Sequence, residues 1–422
     1  MLSSTVKTER DYRLDFAETP LSERIALTHG YHRYPAKFIP PMVRNLIEEY
    51  SDPGDVVLDC FVGSGTTLVE AMLASRRPLG TDINPLATFF TRVKTTPIDP
   101  GRLRHGFDLL SSHMDRRAPK PLDAYRDPRV QFWFTRNRAT KLESLLAAIM
   151  RLRDPIGRAF FLCAFSHVLK DCSRWLQRSV KPTIDPGKRT PIPWERFQRH
   201  YELMAKGNTA FQDELKQRMA SGRPVFPAKV FTSDARLMPI RSRSVDFVLT
   251  SPPYFISYDY MDILQLTSLW FGLVRQGPYP GRDKFMGSRL AKAQEDEWPG
   301  FEFALEIREA VCMESNALRK SVLQYLKDVS AWISELPRVI KPNGTCCIVV
   351  GNPVVRNRRI PLAEFYCEVM EHSRIGVDSI RKREVSNKSI PQTRDAIGRF
   401  APSSSNSETV YPTEFVITGR VS

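Results

Sequence analysis

Ser251-Pro252-Pro253-Tyr254 places a hydroxyl, two prolines and an aromatic ring in four consecutive residues. Each proline fixes φ and removes a backbone donor, so what remains is a rigid turn of carbonyl acceptors with a hydroxyl in front and a ring behind. Such a turn suits an exocyclic amino group on a planar base, held by the acceptors while the ring stacks on it. A second chemical group lies upstream. Asp59-Cys60-Phe61-Val62-Gly63-Ser64-Gly65-Thr66-Thr67 joins a carboxylate, two glycines and three hydroxyls, and Asp82 lies 23 residues beyond Asp59. Glycines at 63 and 65 allow a tight turn with no side chain between backbone and ligand, and the N–H groups of a helix start, with Thr66 and Thr67, offer donors. Asp82 is spaced to accept hydrogen bonds from ribose hydroxyls. The chain has no Gly-x-x-x-x-Gly-Lys-Ser/Thr cradle for ATP, and the third glycine of the dinucleotide fingerprint is missing.

These residues need a scaffold, and the hydropathy pattern supplies one. Asp55–Asp59 reads as a buried parallel strand, Leu68–Ala74 as the start of a helix, and Pro78–Thr81 as a second strand ending at Asp82. Short strands return at Lys229–Ser233, before Asp234, and at Val245–Thr250, which runs into Ser251. Tyr325–Leu336 has helical periodicity, Arg338–Gly344 reads as a turn, Thr345–Gly351 as a strand, and Val377–Glu384 with Glu414–Arg420 as a terminal antiparallel pair. The expected class is α/β, with strands alternating with helices.

Asp-x-Phe-x-Gly-x-Gly-Thr-Thr at 59–67 and Ser-Pro-Pro-Tyr at 251–254 together resemble the S-adenosylmethionine-dependent DNA amino-methyltransferases, and the serine resembles the cytosine-N4 type. The adenine-N6 relatives more often carry Asp or Asn in its place. Tyr31–Pro40 resembles the family's cofactor-adjacent element upstream of the glycine loop. The likeness covers Tyr31–Ala87 and Val230–Phe271 well, Tyr325–Arg420 moderately and 101–227 hardly at all. It implies a Rossmann-like fold with a mixed, mostly parallel seven-stranded sheet. It also implies S-adenosylmethionine as cofactor, held by Lys37, Phe38, Asp59, Phe61, Gly63, Ser64, Gly65, Thr66, Thr67, Asp82, Asn84, Asp234 and Ala235. Of these, Asp82 would take the ribose and Asp234 the adenine. Ser251, Pro252, Pro253 and Tyr254 would be catalytic, acting on a cytosine flipped out of double-stranded DNA. Methylation of adenine N6, of RNA or of a protein amide remain alternatives. A restriction endonuclease partner is a further implication, as is a cytoplasmic, prokaryotic setting with nucleoid association.

The charge distribution points the same way. Lys and Arg number 62 against 47 Asp and Glu, a net of +15, yet Gly101–Pro227 alone holds 25 and 12, a net of +13. A concentrated excess reads as a polyanion-binding surface rather than as a solubility feature. Helical periodicity at Lys141–Arg153 and Ile156–Leu176, together with the Pro-rich basic loop Lys181–Pro193, makes 101–227 a helical insertion and candidate DNA-recognition region. The catalytic domain is then discontinuous, 1–100 and 228–422, with a second smaller insertion at 272–321. Ser386–Thr409 reads as a polar loop between the last two strands.

Other features limit the alternatives. With 42% hydrophobic residues the chain can bury a sizeable core. Seven cysteines without a Cys-x-x-Cys pair argue against a disulfide framework or structural zinc. None comes directly after a proline, so a cysteine nucleophile is not expected, and seven histidines without a His-x-x-x-His pair give no expected metal site. Trp133, Trp175 and Trp194 are expected to pack in the core of the helical segment rather than stack on bases.

Overall fold

The computed structural model describes residues 8–11, 14–16, 19–34, 37–115, 124–253, 255, 260–273, 282–288, 298–355, 358–384, 393–394, 408–409 and 413–422. Its centre is an eight-stranded sheet ordered Thr8–Arg10, Ile375–Glu384, Thr413–Val421, Ile340–Gly351, Val245–Thr250, Val56–Asp59, Arg77–Asp82 and Lys229–Thr232. Thr413–Val421 is antiparallel to both neighbours and every other pairing is parallel. Seven of these strands form the sheet expected from the sequence. The eighth, Thr8–Arg10, adds to the outer edge, pairing Thr8 with Ile380. Its residues, Thr-Glu-Arg, carry no apolar signal, and the contact is reinforced from outside the strand, where Arg381 bonds Asp11 and Glu49.

Val56–Asp59 sits at the point where the chain reverses direction across the sheet. Its successor Arg77–Asp82 lies on one side and Val245–Thr250 on the other. The crevice at the carboxyl ends of strands flanking such a switch point is where open α/β sheets bind ligands. Asp59, Asp82 and Ser251 stand at the carboxyl ends of these three adjacent strands. One face of the sheet is covered by Asn316–Val339 and Leu362–His372, whose Trp332, Ile333, Phe365 and Tyr366 are buried with Val248, Cys346 and Ile348. On the other, Pro40–Tyr50 packs Met42, Val43, Leu46 and Ile47 against Val57 and Phe247.

In the chain between the strands Arg77–Asp82 and Lys229–Thr232 lie Pro100–Asp115, Pro128–Trp133, Arg136–Met150, Pro155–Cys172 and Pro193–Ala220. They enclose a second apolar cluster that includes Phe160, Phe161, Phe165 and Phe197 and continues into Leu86, Phe90 and Val93 of the helix Pro85–Thr95. Trp133 and Trp175 are buried there, their rings stacked 5.1 Å apart, while Trp194 stacks on Phe107. Leu264, Leu266 and Trp270, from the segment after the Ser251 turn, belong to the same cluster. The basic helical segment is thus wedged between the glycine-loop side and the helix Gln265–Trp270 beyond the Ser251 turn. Within 272–321, the helix Glu302–Ala310 contributes Ala304 and Ile307 to the central core, and its first amides are capped by Glu368. Among the described residues no helix is long and apolar enough to cross a membrane. Most of 386–409 lies outside the described residues, apart from Thr393–Arg394 paired antiparallel with Glu408–Thr409.

Candidate active site

The strand Val56–Asp59 delivers its last residue, Asp59, almost fully buried at the base of a cleft. Asp59 Oδ1 accepts hydrogen bonds from the Phe61 amide at 3.0 Å and from Thr250 Oγ1 at 2.6 Å, which ties the glycine turn to the strand leading into Ser251. Burial pushes its carboxyl above the usual range, against the pull of those donors. Thr67 is buried beside Asp59.

The turn after Asp59 depends on its two glycines in different ways. Gly63 has φ +47° and Gly65 has φ +79°, both in the left-handed region that L side chains rarely adopt. A Cβ on Gly63 would meet the Tyr34 ring at 3.2 Å, and one on Gly65 would stand 2.9 Å from the Thr91 side chain. Gly65 is therefore required by helix packing, since it caps Thr66–Leu73 where that helix crosses Pro85–Thr95, and it is not on the cleft wall. Lys94 reaches across from the second helix, fully buried, and its Nζ donates to the Ser64 carbonyl at 2.8 Å. Desolvation brings its pKa down to about 7, with Lys37 adding repulsion.

Asp82, closing the next strand, is fixed by the chain around it. Oδ2 accepts from the Gly63 amide at 3.0 Å and Oδ1 from the Asn84 amide at 2.8 Å. Burial raises its pKa to about 6 despite those bonds, and the nearby Asp59 charge pushes the same way. Asn84 caps Pro85–Thr95 through Oδ1, bonded to the Leu86 amide, which leaves Nδ2 buried without a partner in the wall of the cleft. An orphaned buried donor beside an acceptor carboxylate is what a bound polar ligand would satisfy.

One cleft gathers most of the residues expected from the sequence: Lys37, Phe38, Asp59, Phe61, Gly63, Ser64, Thr66, Asp82, Asn84, Ser251 and Pro253 all line it. Lys37 is largely buried and donates to the His29 carbonyl, and burial lowers its pKa to about 8, with Arg24 nearby adding to the shift. The cleft is open to solvent at its mouth and walled on both sides by these residues. Pro252 is buried behind the wall, and Tyr254 lies outside the described residues. The Pro253 carbonyl accepts from Tyr325 Oη at 3.0 Å, and Tyr366 Oη lies 3.0 Å from Tyr325 Oη.

Asp234 and Ala235 are placed differently from the expectation. Neither lines the cleft; Ala235 is buried in the core, and Asp234 pairs with Arg236 through Nε–Oδ1 at 2.9 Å and Nη2–Oδ2 at 2.5 Å. Arg236 is drawn there by a second carboxylate, the buried Asp328, and also donates to the Lys284 carbonyl at 2.9 Å. Through Lys284 this network adjoins Phe285, Met286, Gly287 and Ser288, which complete the cleft wall and which no motif announced. Tyr34 and Ile83 also line it, and each lies within a few residues of positions that the motifs did mark.

His29 and His32 serve as internal struts. His29 Nε2 meets Glu70 Oε1 at 2.8 Å, with Arg44 on the other carboxylate oxygen, and His32 stacks on Phe90 while bonding Ser166 Oγ at 2.8 Å. Ser166 Oγ is also 2.7 Å from Thr267 Oγ1, so one hydroxyl joins the element before the glycine loop, the helical segment and the helix after the Ser251 turn. Among the described residues no group of three or more His, Cys, Asp or Glu side chains is placed to hold a metal ion. All seven cysteines are free thiols, with Cys312 alone exposed.

The sequence matches the DNA methylase family described as N6_N4_Mtase over residues 7–88 and 245–406, more than half of the chain. The protein belongs to this family. It is a DNA methyltransferase, and its cofactor is S-adenosylmethionine. The unmatched interval contains the whole basic helical segment. Among curated relatives, the type II methyltransferase M.MvaI of Kocuria varians is 25% identical over 423 aligned residues, covering 92% of this chain and 90% of the relative. M.MjaII of Methanocaldococcus jannaschii is 36% identical over 94 residues, covering 22% of this chain and 18% of the relative. A solved S-adenosylmethionine-dependent methyltransferase of Methanosarcina mazei overlays with TM-score 0.31 at 10% identity, covering 89% of this chain and 96% of that one. That overlay is loose, and the fold stands on the strand order itself.

Proposed function

We propose that this DNA methyltransferase modifies the exocyclic N4 amino group of a cytosine turned out of double-stranded DNA, as the modification enzyme of a type II system. The observation that carries this reading is the shared cleft, in which Ser251 and Pro253 face the same space as Gly63, Asp82 and Asn84. Serine at the head of the Pro-Pro turn, where adenine-N6 relatives more often have an acid or amide, favours cytosine.

In this reading Asp82, already oriented by two amides, accepts from the ribose hydroxyls with its remaining lone pairs, and Asn84 Nδ2 finds the acceptor it lacks. Bound S-adenosylmethionine supplies an electrophilic methyl group on sulfonium. Ser251 Oγ accepts from the cytosine amino group and aims its nitrogen, and Tyr254 would supply the ring that stacks on the base. Acceptors that favour a pyramidal nitrogen release a lone pair otherwise conjugated with the ring. The N–C bond would form as the sulfonium's C–S bond breaks to leave a neutral thioether, and one amino proton would pass to solvent. Rate comes from alignment and fixed dipoles, with no covalent enzyme intermediate. Buried thiols such as Cys60 and Cys346, pushed above their ordinary pKa by desolvation, are consistent with that route.

Incubation with unmethylated bacterial duplex DNA and labelled cofactor, followed by hydrolysis to nucleosides, tests the proposal. N4-methylcytosine is expected. Label on adenine alone would overturn the choice of base, and activity lost with RNase but retained with DNase would overturn the choice of nucleic acid.

A further inference from the structure

Exposed basic residues of the helical segment flank both ends of one of its helices. Pro155–Cys172 spans about 25 Å at 1.5 Å per residue. Exposed Arg151 and Arg153 precede its N-terminus, whereas exposed Arg178, Lys181 and Arg189 lie in the loop after its C-terminus. The second end is joined to the cleft on two sides. Asp171, in the helix's last turn, holds Arg33 by two bonds of 2.6 and 3.1 Å, and the next residue, Tyr34, lines the cleft. Trp175, just beyond the helix, stacks on Trp133, whose Nε1 donates to Gln265 in the helix after the catalytic turn.

The loop itself is built in advance. Trp175 and Ile184 pair as a β-bridge, flanked by bonds from the Leu176 amide to the Thr183 carbonyl at 2.8 Å and from the Asp185 amide to the Arg174 carbonyl at 2.7 Å. Two cations at this end are engaged internally: Lys188 Nζ donates to the Lys170 and Trp175 carbonyls at 2.7 Å each, and Lys170 Nζ donates to the Ser179 carbonyl at 2.8 Å. Arg33 and Arg196 share the single carboxylate of Asp171. Positive charge is therefore in excess at this end, and Lys170 is held down to about 8 by burial, then by Arg33 and Lys188.

We propose that the loop 176–190, with Arg178, Lys181 and Arg189, is the surface that grips the DNA phosphate backbone beside the flipped nucleotide. A polyanion relieves the crowding of like charge, and a loop already ordered by its own hydrogen bonds loses little entropy on binding. The proposal rests on DNA being the substrate and adds which end of the basic segment meets the duplex.

The test compares two charge-matched triple variants of the full chain, Arg178→Gln/Lys181→Gln/Arg189→Gln and Lys141→Gln/Arg151→Gln/Arg153→Gln. Binding to a labelled duplex of about 30 base pairs and arbitrary sequence is measured by fluorescence anisotropy from about 50 to 200 mM salt, with circular dichroism to verify the fold. Each lost phosphate contact removes about 0.9 from the log–log salt slope. The loop triple is expected to flatten the slope by about 2 to 3 and to weaken binding on the order of tenfold or more, and the other triple to change the slope by less than about 1. A loop triple with the native slope, or equal losses in both triples, overturns the loop assignment alone. A native slope near zero overturns the loop assignment and the DNA reading together.

Discussion

The two sides of the cleft are built on opposite plans. The side proposed to hold the cofactor, Asp59 to Asn84, is a short stretch of one chain segment in which backbone amides orient the two carboxylates. The side proposed to receive the target base joins Ser251 and Pro253 with Phe285–Ser288, and it is held by Tyr325, Arg236 and the helix that contacts Ser166. Local construction gives a preformed ligand floor. Long-range construction makes the position of the reacting group depend on distant side chains, so mutations on the two sides are expected to separate into cofactor affinity and turnover.

Ser251→Ala gives the sharpest contrast. Loss of an acceptor aimed at the reacting nitrogen is expected to lower kcat on the order of a hundredfold, with cofactor Kd changing less than about threefold. Asp82→Ala is expected to do the reverse, raising cofactor Kd by about ten- to a hundredfold, the range for a hydrogen bond to a charged group. Because Asp82 titrates near 6, cofactor affinity of the native protein is expected to fall as pH drops through about 6, and Asp82→Asn to flatten that dependence. Calorimetric titration from about pH 5 to 8 checks both statements. A native affinity independent of pH would remove Asp82 from the ribose contact.

Within the floor, Gly65→Ala measures packing rather than ligand approach. With φ +79° and Thr91 at 2.9 Å, an added methyl is expected to destabilise the fold by about 1–3 kcal/mol in denaturant unfolding. A larger loss of cofactor affinity than of stability would restore the ligand-approach explanation.

This contrast also explains what was legible in the sequence. Asp59, Gly63, Asp82 and Ser251 could be read because each ends a strand or lies in the turn directly after one, where neighbouring residues make its contacts. The two central parallel strands, Val56–Asp59 and Val245–Thr250, were legible as apolar runs. Phe285–Ser288 could not be read, since their place on the cleft comes from Arg236 donating to the Lys284 carbonyl, a contact that leaves no periodicity. Asp234 shows the same limit: the family resemblance implied an adenine contact there, and its pairing with Arg236, itself drawn by the buried Asp328, left no mark in the sequence. Thr8–Arg10 escaped notice because an edge strand of three polar residues has no hydrophobic signature.

Lys94 extends the comparison to pH. The native lysine loses its proton near 7, whereas an unfolded one holds it to about 10.4, so between these values the unfolded state binds more protons. Stability is therefore expected to rise with pH across that window, by at most about 1.4 kcal/mol per unit, and Lys94→Met to remove the rise. Thermal midpoints from about pH 6.5 to 9 read the effect, and an unchanged slope in the variant would place the buried charge elsewhere.

The smallest expected effect is the most specific to the target side. Tyr325 directs its one hydroxyl proton to the Pro253 carbonyl, so in the contact between the two phenols Tyr366 must be the donor. The direction of this chain ranks two variants that remove the same kind of atom. Tyr325→Phe strips Pro253 of its partner and is expected to cost about 1 kcal/mol in turnover, about fivefold in kcat, with cofactor Kd unchanged. Tyr366→Phe leaves the Tyr325–Pro253 bond in place, and its effect on kcat is expected to stay within about twofold. Equal losses in kcat would mean that the tyrosine pair supports the core generally, and a shift in cofactor Kd with either variant would mean that the target side of the cleft also shapes its floor.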